Sequence, residues 1–223
     1  MNVLLLHALP LDERMWEPQL AALDGHEVRA PRLYPLGNSM EAWAEAILAD
    51  FEHPFVACGA SMGGYCALAL ARLVPERIPG LVLAGARLEA DSPERRDGRA
   101  ATIELIRSGG TAALWKDIRP KLFPPDADAG VIDRAREIAL EQDPEGLVAG
   151  IEAIRDRGDS TGVVAKLDVP VVHAVGEHDP FVSPGEAEAY PGRVEVFENT
   201  GHLVSMQRPE RFNRLLLDLL EEL

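Results

Sequence analysis

The sequence has few cysteines and no long apolar run, and each shortage excludes a class of protein. Two cysteines in 223 residues cannot form a disulfide framework, and Cys58 and Cys66 both lie in apolar segments where a buried free thiol is expected. No segment approaches the ~18 apolar residues that a membrane-spanning helix needs. The first residues show no basic leader, long apolar stretch or cleavage site, so we expect no signal peptide and a cytoplasmic location.

Positive charge is also scarce. The chain has 22 Lys and Arg against 37 Asp and Glu, which gives a formal net charge of −15. Such a charge repels phosphate backbones and anionic lipid, so nucleic acid and membrane surfaces are not expected partners. It also disfavours bulky polyanions, such as phosphorylated esters, as substrates. The 47% hydrophobic and 26% charged residues are typical of a soluble globular chain, and the length suits one compact unit.

Short apolar runs alternate with helical patterns at both ends of the chain. Strands are predicted at residues 3–6, 27–30, 55–58, 81–84, 169–175 and 194–197. This alternation favours an α/β fold with a mostly parallel sheet of about six strands flanked by helices. The middle contains only amphipathic helical stretches, around residues 94–107, 111–118, 131–141 and 145–155, separated by glycine and proline pairs. A further helix is predicted near residues 184–190, after the fifth strand. We therefore expect a core of residues 1–86 and 167–223, interrupted after the fourth strand by a helical insertion of residues 87–166.

A serine-centred motif lies between the third predicted strand and a helix of small residues. It reads Gly59-Ala60-Ser61-Met62-Gly63. A serine hydroxyl is a poor nucleophile unless it is exposed, lies near a base and is backed by donors for an oxyanion. A tight turn exposes the serine, and the helix N-terminus directs N–H groups toward developing negative charge. The pattern indicates a Gly-x-Ser-x-Gly nucleophile elbow, with an ordinary glycine-rich surface turn as the alternative.

In this strand–turn–helix context the motif resembles the α/β-hydrolase superfamily, specifically its small esterase-like members with a helical cap. The resemblance covers nearly the whole chain and implies the triad order serine, acid, histidine. It also implies that residues 87–166 form a cap over Ser61, within a single structural unit with the core.

Two further residues complete the expected triad. His202 lies in a loop between the last predicted strand and the last helix, and an imidazole there can serve as general base. Asp179 matches the family's acid position in a Gly-x-x-Asp-Pro turn, where a carboxylate orients the imidazole and stabilises its charged form. Some members carry the acid after an earlier strand, so Glu89 and Asp91 are the alternative acids.

The oxyanion hole and the pocket follow from the same resemblance. Backbone N–H groups of Met62 and Leu9 are the expected oxyanion donors. The chain departs from its relatives at Ala8, where glycine is usual, and alanine adopts positive φ only at a cost. Leu11 and Trp115 are the candidate substrate-pocket side chains.

The other histidines have different expected roles. His7 resembles the histidine that braces the oxyanion loop, and His173 lies in an apolar run as a core residue. A metal site made of His173, His178, Asp179 and His202 fits no compact ligand spacing. Neither a metal nor an organic cofactor is therefore expected.

These residues predict a serine hydrolase that cleaves a neutral or mildly polar carboxylic ester, lactone or thioester through an acyl-enzyme. The same triad could instead perform C–C bond hydrolysis, enol-lactone opening or perhydrolysis. A non-catalytic ligand-binding protein on the same fold is the alternative outside the enzymes. The expected partner is a small-molecule ester, and the sequence is compatible with a monomer and with a homodimer.

Overall fold

Six strands form one parallel sheet in the computed structural model, which describes residues 1–223. The strands are β1 (Asn2–Leu6), β2 (Glu27–Arg29), β3 (Phe55–Ala60), β4 (Leu81–Ala84), β5 (Val171–Gly176) and β6 (Arg193–Phe197). Their order is β2-β1-β3-β4-β5-β6, and every neighbouring pair is parallel. The predicted fold class is confirmed. The chain adds strands first on one side of β1 and then on the other, and this change of side places helices on both faces of the sheet.

Ten α-helices surround the sheet. They are α1 (Glu17–Ala22), α2 (Met40–Ala49), α3 (Met62–Leu73), α4 (Pro93–Leu122), α5 (Ala129–Leu140), α6 (Pro144–Asp156), α7 (Thr161–Val164), α8 (Pro184–Ala187), α9 (Val204–Gln207) and α10 (Pro209–Glu222). Short 3-10 turns occur at Glu13–Trp16, Tyr34–Leu36 and Pro75–Arg77. None of these helices combines the length and apolar character that crossing a membrane would require.

The four inner strands β1, β3, β4 and β5 are buried on both faces of the sheet, which explains why they are mostly apolar runs. The edge strands β2 and β6 are partly exposed. Successive side chains of a strand point to opposite sides, so Val3 and Leu5 join one core and Leu4 and Leu6 join the other. Helices α2 and α3 cover the second of these faces, and α10 covers the first with a buried stripe that includes Phe212. The two cores hold the strand ends, and hence the loops after them, in fixed positions.

The segment between β4 and β5 is entirely helical. The two stretches predicted at 94–107 and 111–118 are two arms of α4 that meet at Gly110, whose φ of 67° and ψ of −164° are not helical. Glycine alone adopts this conformation readily, so the predicted break becomes a bend. At the start of α6, Asp143 accepts a hydrogen bond from the N–H of Gly146 (2.9 Å), and proline follows at the first helical position.

Predicted strand boundaries differ from the observed ones by one or two residues at every strand except β4. Strand β5 begins at Val171 rather than at residue 169, because Pro170 has no N–H to donate to a neighbouring strand, although its carbonyl accepts from Leu81 (3.0 Å). Helix α8 ends at Ala187 after one turn, shorter than the predicted stretch to residue 190.

Candidate active site

Ser61 occupies a strained turn between β3 and α3. Its backbone φ is 50° and ψ is −111°, a conformation that non-glycine residues rarely adopt. The Ser61 N–H donates to the carbonyl oxygen of Ala84 (2.7 Å). A Cβ on Gly59 would lie 2.3 Å from the carbonyl oxygen of Gly63, and one on Gly63 would lie 2.0 Å from that of Leu6. The two glycines therefore allow the close approach of strands and helix that projects the serine out of the turn.

Asp179 and His202 form a buried pair. The Nδ1 atom of His202 lies 2.7 Å from Oδ2 of Asp179, and both side chains are almost completely buried. Because a carboxylate only accepts, Nδ1 carries the proton and Nε2 keeps a free lone pair. The other carboxylate oxygen accepts the N–H groups of Phe181 (2.8 Å) and Val182 (3.2 Å). These contacts fix the carboxylate and, through it, the tautomer of the imidazole.

Gly85, directly after β4, makes room for this pair, and the sequence patterns do not single it out. Its φ is +62°, and a Cβ there would lie 2.8 Å from Nδ1 of His202 and 3.0 Å from Oδ2 of Asp179. Both the backbone conformation and the available space therefore require glycine. The only signal in the sequence is a glycine that immediately follows a buried strand.

The loop that carries His202 is anchored to the end of α4. The His202 N–H donates to the carbonyl oxygen of Leu122 (3.0 Å), which also accepts from Nε2 of Gln207 (3.3 Å). The Gln207 Oε1 atom in turn accepts from the N–H of Gly201 (3.1 Å). The helical segment between β4 and β5 thus contributes directly to the placement of the imidazole.

His7 braces the loop after β1. Its Nε2 accepts the N–H of Leu33 (2.9 Å), so the proton lies on Nδ1, which is 3.2 Å from the carbonyl oxygen of Ala8. Burial lowers the pKa of His7 to about 4, and the ring is neutral at pH 7. Ala8 is not among the residues with positive φ, so alanine is unstrained at this position.

A cavity of about 80 Å³ opens beside Ser61 and His202. Leu9 lines it, so the loop after β1 reaches the same space as the serine and the imidazole. The remaining apolar lining includes Leu114, Leu122, Ile151, Ile154 and Phe181. The charged lining consists of Arg87, Arg95, Arg99, Asp117 and Lys121. The cavity therefore has both apolar and charged walls.

The structure corrects the prediction that Leu11 and Trp115 line the pocket. Leu11 is fully buried in the core, and its carbonyl oxygen accepts from the Tyr34 hydroxyl (2.8 Å). Trp115 packs on Phe123, with 6.4 Å between ring centroids, in the core on the α10 face of the sheet. Its neighbour Leu114 lines the cavity instead, because consecutive helical residues point about 100° apart.

The alternative acids have other partners. Glu89 Oε2 accepts a hydrogen bond from the Tyr190 hydroxyl (2.7 Å). Asp91 is buried, with Oδ2 at 3.1 Å from Nε of Arg99 and Oδ1 at 2.8 Å from Nη1 of Arg157. Both carboxylates are therefore engaged away from the imidazole, whereas Asp179 contacts it directly.

The remaining histidine and cysteine side chains lie outside the cavity. His173 is a core residue, as predicted, with Nε2 at 3.0 Å from the carbonyl oxygen of Pro191, and burial lowers its pKa. Cys58 and Cys66 are free, and burial raises the pKa of both thiols. No group of three or more His, Cys, Asp or Glu side chains is arranged to hold a metal ion.

The sheet order, the strand–turn–helix serine and the acid and histidine that follow β5 and β6 define the α/β-hydrolase class of fold. The sequence model of the alpha/beta hydrolase family matches residues 3–215. The chain belongs to this family and is an esterase-like hydrolase within it.

Several known proteins that resemble the chain are esterases or lactonases by name. A pimeloyl-[acyl-carrier protein] methyl ester esterase of Neisseria meningitidis is 30% identical over 220 residues, covering 92% of this chain and 69% of the relative. The solved structure of a thermophilic esterase from Thermogutta terrifontis, with malate bound, is 32% identical with a TM-score of 0.93, covering 100% of this chain and 90% of that one. An enol-lactonase from Burkholderia xenovorans is 26% identical with a TM-score of 0.83, covering 99% and 91%.

Proposed function

We propose that the protein is a serine hydrolase that cleaves carboxylic esters through an acyl-enzyme, with Ser61, His202 and Asp179 as its triad. The observation that carries this proposal is the buried His202–Asp179 pair, whose imidazole opens onto the same cavity as the serine in the strained turn. The esterases among the similar proteins support the choice of an ester bond.

The reaction begins when Ser61 attacks the acyl carbon while Nε2 of His202 takes its proton. Asp179 stabilises the imidazolium that forms. The tetrahedral oxyanion is stabilised by the backbone N–H groups of Met62 and Leu9. Met62 is the first residue of α3, so its N–H has no acceptor within the helix and is available to the oxyanion.

The second half of the reaction uses the same groups. His202 returns the proton to the leaving alcohol, and then takes one from a water molecule that attacks the acyl-enzyme. His202 passes this proton to Oγ of Ser61 as the bond between the acyl carbon and Oγ breaks, so the products are a carboxylic acid and free Ser61. No metal or organic cofactor takes part in this sequence.

We also propose that residues 87–166 act as a cap on the core of residues 1–86 and 167–223. Helices α4 and α6 both supply cavity walls, through Leu114 and Ile151 among others, which supports this division. The cavity of about 80 Å³ is roughly half of the ~150 Å³ that admits benzene, so the group it encloses is small. The cytoplasmic location expected from the sequence stays a prediction.

Lactone opening is the second candidate function. The similarity to the enol-lactonase favours it, at 26% identity over 99% of this chain. It needs the same steps at Ser61 and His202, and differs only in that the acid and the alcohol stay joined in one product.

Hydrolysis of p-nitrophenyl acetate and butyrate by the wild type and by Ser61→Ala tests the proposal. Loss of the nucleophile should lower kcat/KM on the order of 10⁴-fold. Ser108→Ala is the matched control, because this exposed serine bonds only to carbonyl oxygens of its own helix. Equal turnover by Ser61→Ala and wild type would refute the triad. If the wild type is inactive and Ser61 does not react with a phosphonate probe, the non-catalytic alternative takes its place.

A further inference from the structure

The cavity beside Ser61 has an excess of positive charge, although the chain carries −15 overall. Four cationic side chains and one carboxylate line it. Two of the cations are already engaged: Lys121 pairs with Asp117 at 2.8 Å, and Arg87 donates to the carbonyl oxygen of Phe181 at 2.7 Å and pairs with Glu186. The remaining two lie on the first arm of α4.

Arg99 is one of these two, and a buried carboxylate holds it in place. Its Nε atom donates to Oδ2 of Asp91 (3.1 Å), whose Oδ1 lies 2.8 Å from Arg157. The Arg157 guanidinium is only 6% exposed and lies 4.0 Å over the ring of Tyr65. Two arginines thus share one carboxylate, which leaves a net positive charge. The terminal nitrogens of Arg99 make no hydrogen bond within the protein, so they are free to bind a ligand.

Arg95 lies one helical turn before Arg99, on the same side of α4. Residues four apart on a helix are neighbours, and both side chains line the cavity. Arg95 has no ion pair and makes no side-chain hydrogen bond within the protein. The two guanidinium groups therefore offer several unused donors in a cavity whose lining also includes apolar side chains such as Leu114, Ile151 and Ile154.

We propose that Arg95 and Arg99 form an anion subsite, and that the enzyme selects esters that carry a free carboxylate remote from the scissile bond. Monoesters of dicarboxylic acids have this chemistry. Guanidinium groups bind carboxylates through paired, charge-assisted hydrogen bonds, and the apolar walls suit the methylene chain between the two ends. This inference rests on the ester hydrolysis proposed above. It names anionic esters as the substrate class, whereas the overall charge of the chain led us to expect neutral esters.

The comparison of monomethyl adipate with methyl hexanoate tests the subsite. We expect wild type to hydrolyse the anionic ester with a kcat/KM at least ~10-fold higher, and 0.5 M NaCl to reduce this preference by screening. Arg95→Gln should lower the ratio of kcat/KM for monomethyl adipate to that for methyl hexanoate about tenfold. Arg107→Gln is the matched control, since it removes the same charge from an exposed residue of α4 that pairs only with Glu104.

The outcomes separate this inference from the proposed function. Equal kcat/KM for the two esters, or equal effects of Arg95→Gln and Arg107→Gln, would overturn the subsite. A wild type that reacts with a phosphonate at Ser61 but hydrolyses only the neutral ester would also overturn it. If neither ester is hydrolysed and Ser61 does not react, the hydrolase proposal itself fails. Arg99→Lys provides a second readout, because lysine keeps the positive charge but lacks the paired donors of a guanidinium group. This variant should weaken the preference for the anionic ester.

Discussion

Replacing Gly85 with alanine perturbs the His202–Asp179 pair without changing either side chain. The new Cβ would lie 2.8 Å from Nδ1 and Cε1 of His202 and 3.0 Å from Oδ2 of Asp179. Ordinary contacts of a Cβ atom begin at 3.4 Å, so the imidazole must move by roughly 0.6 Å. A displacement of about 1 Å in a reacting group costs ~10²-fold in rate, so we expect kcat/KM to fall between about 10-fold and 100-fold.

The same substitution also strains the backbone, and a second variant separates the two effects. A left-handed conformation costs an alanine about 1–2 kcal/mol, at Gly85 with φ +62° and equally at Gly25 with φ +95°. A Cβ at Gly25 meets nothing within 4 Å. Both variants should therefore lose stability in urea unfolding, but only Gly85→Ala should lose activity toward p-nitrophenyl acetate. Wild-type kcat/KM in Gly85→Ala would show that the reaction does not need the pair in this position.

Two further predictions concern the acid and the bracing histidine. Asp179→Asn should lower kcat about 10⁴-fold, because an amide no longer selects the required tautomer of His202. The control Glu89→Gln should leave kcat near the wild-type value. A loss below tenfold for Asp179→Asn would contradict the assignment of Asp179 as the acid. Lowering the pH from 7 to 4 should remove about 3 kcal/mol of the free energy of unfolding through His7. The pKa of His7 is about 4 in the fold and 6.5 in the unfolded chain, so over most of this interval the unfolded chain takes up the proton and the folded chain does not. His173 acts in the same direction, so urea titrations of wild type and His7→Gln isolate the share of His7, which the variant should lack.

The parts of the site that depend on local structure were predictable from the sequence. Ser61 and Asp179 follow buried strands and His202 follows the partly exposed edge strand β6, and carboxyl ends of parallel strands meet at one edge of the sheet. Local turn chemistry, together with the triad order that the resemblance to the α/β-hydrolase superfamily implies, was therefore enough to predict three residues that the fold brings to one place. Their catalytic roles stay a prediction until the variants above are measured.

The parts that depend on packing between distant segments were not predictable. The bend at Gly110 decides which side of the second arm of α4 faces the cavity, and this placed Leu114 there rather than Trp115. The need for glycine at position 85 arises from side chains about 95 and 117 residues further along the chain. The unpaired state of Arg95 likewise depends on which carboxylates the tertiary fold brings near, and periodicity carries no information about that.

The hydrogen bonds at Leu122 have a consequence for how this protein can change. A segment inserted between two strands looks like an exchangeable module, whose replacement would alter substrate preference while the chemistry stays the same. Here the last carbonyl of α4 holds both the His202 N–H and the Gln207 side chain. A chimera that exchanges the whole insertion would also remove the support of the histidine loop. A functional chimera would have to join the two sequences before Leu122. The exchanged segment could then change substrate specificity, while the Leu122 carbonyl that supports the histidine loop is kept.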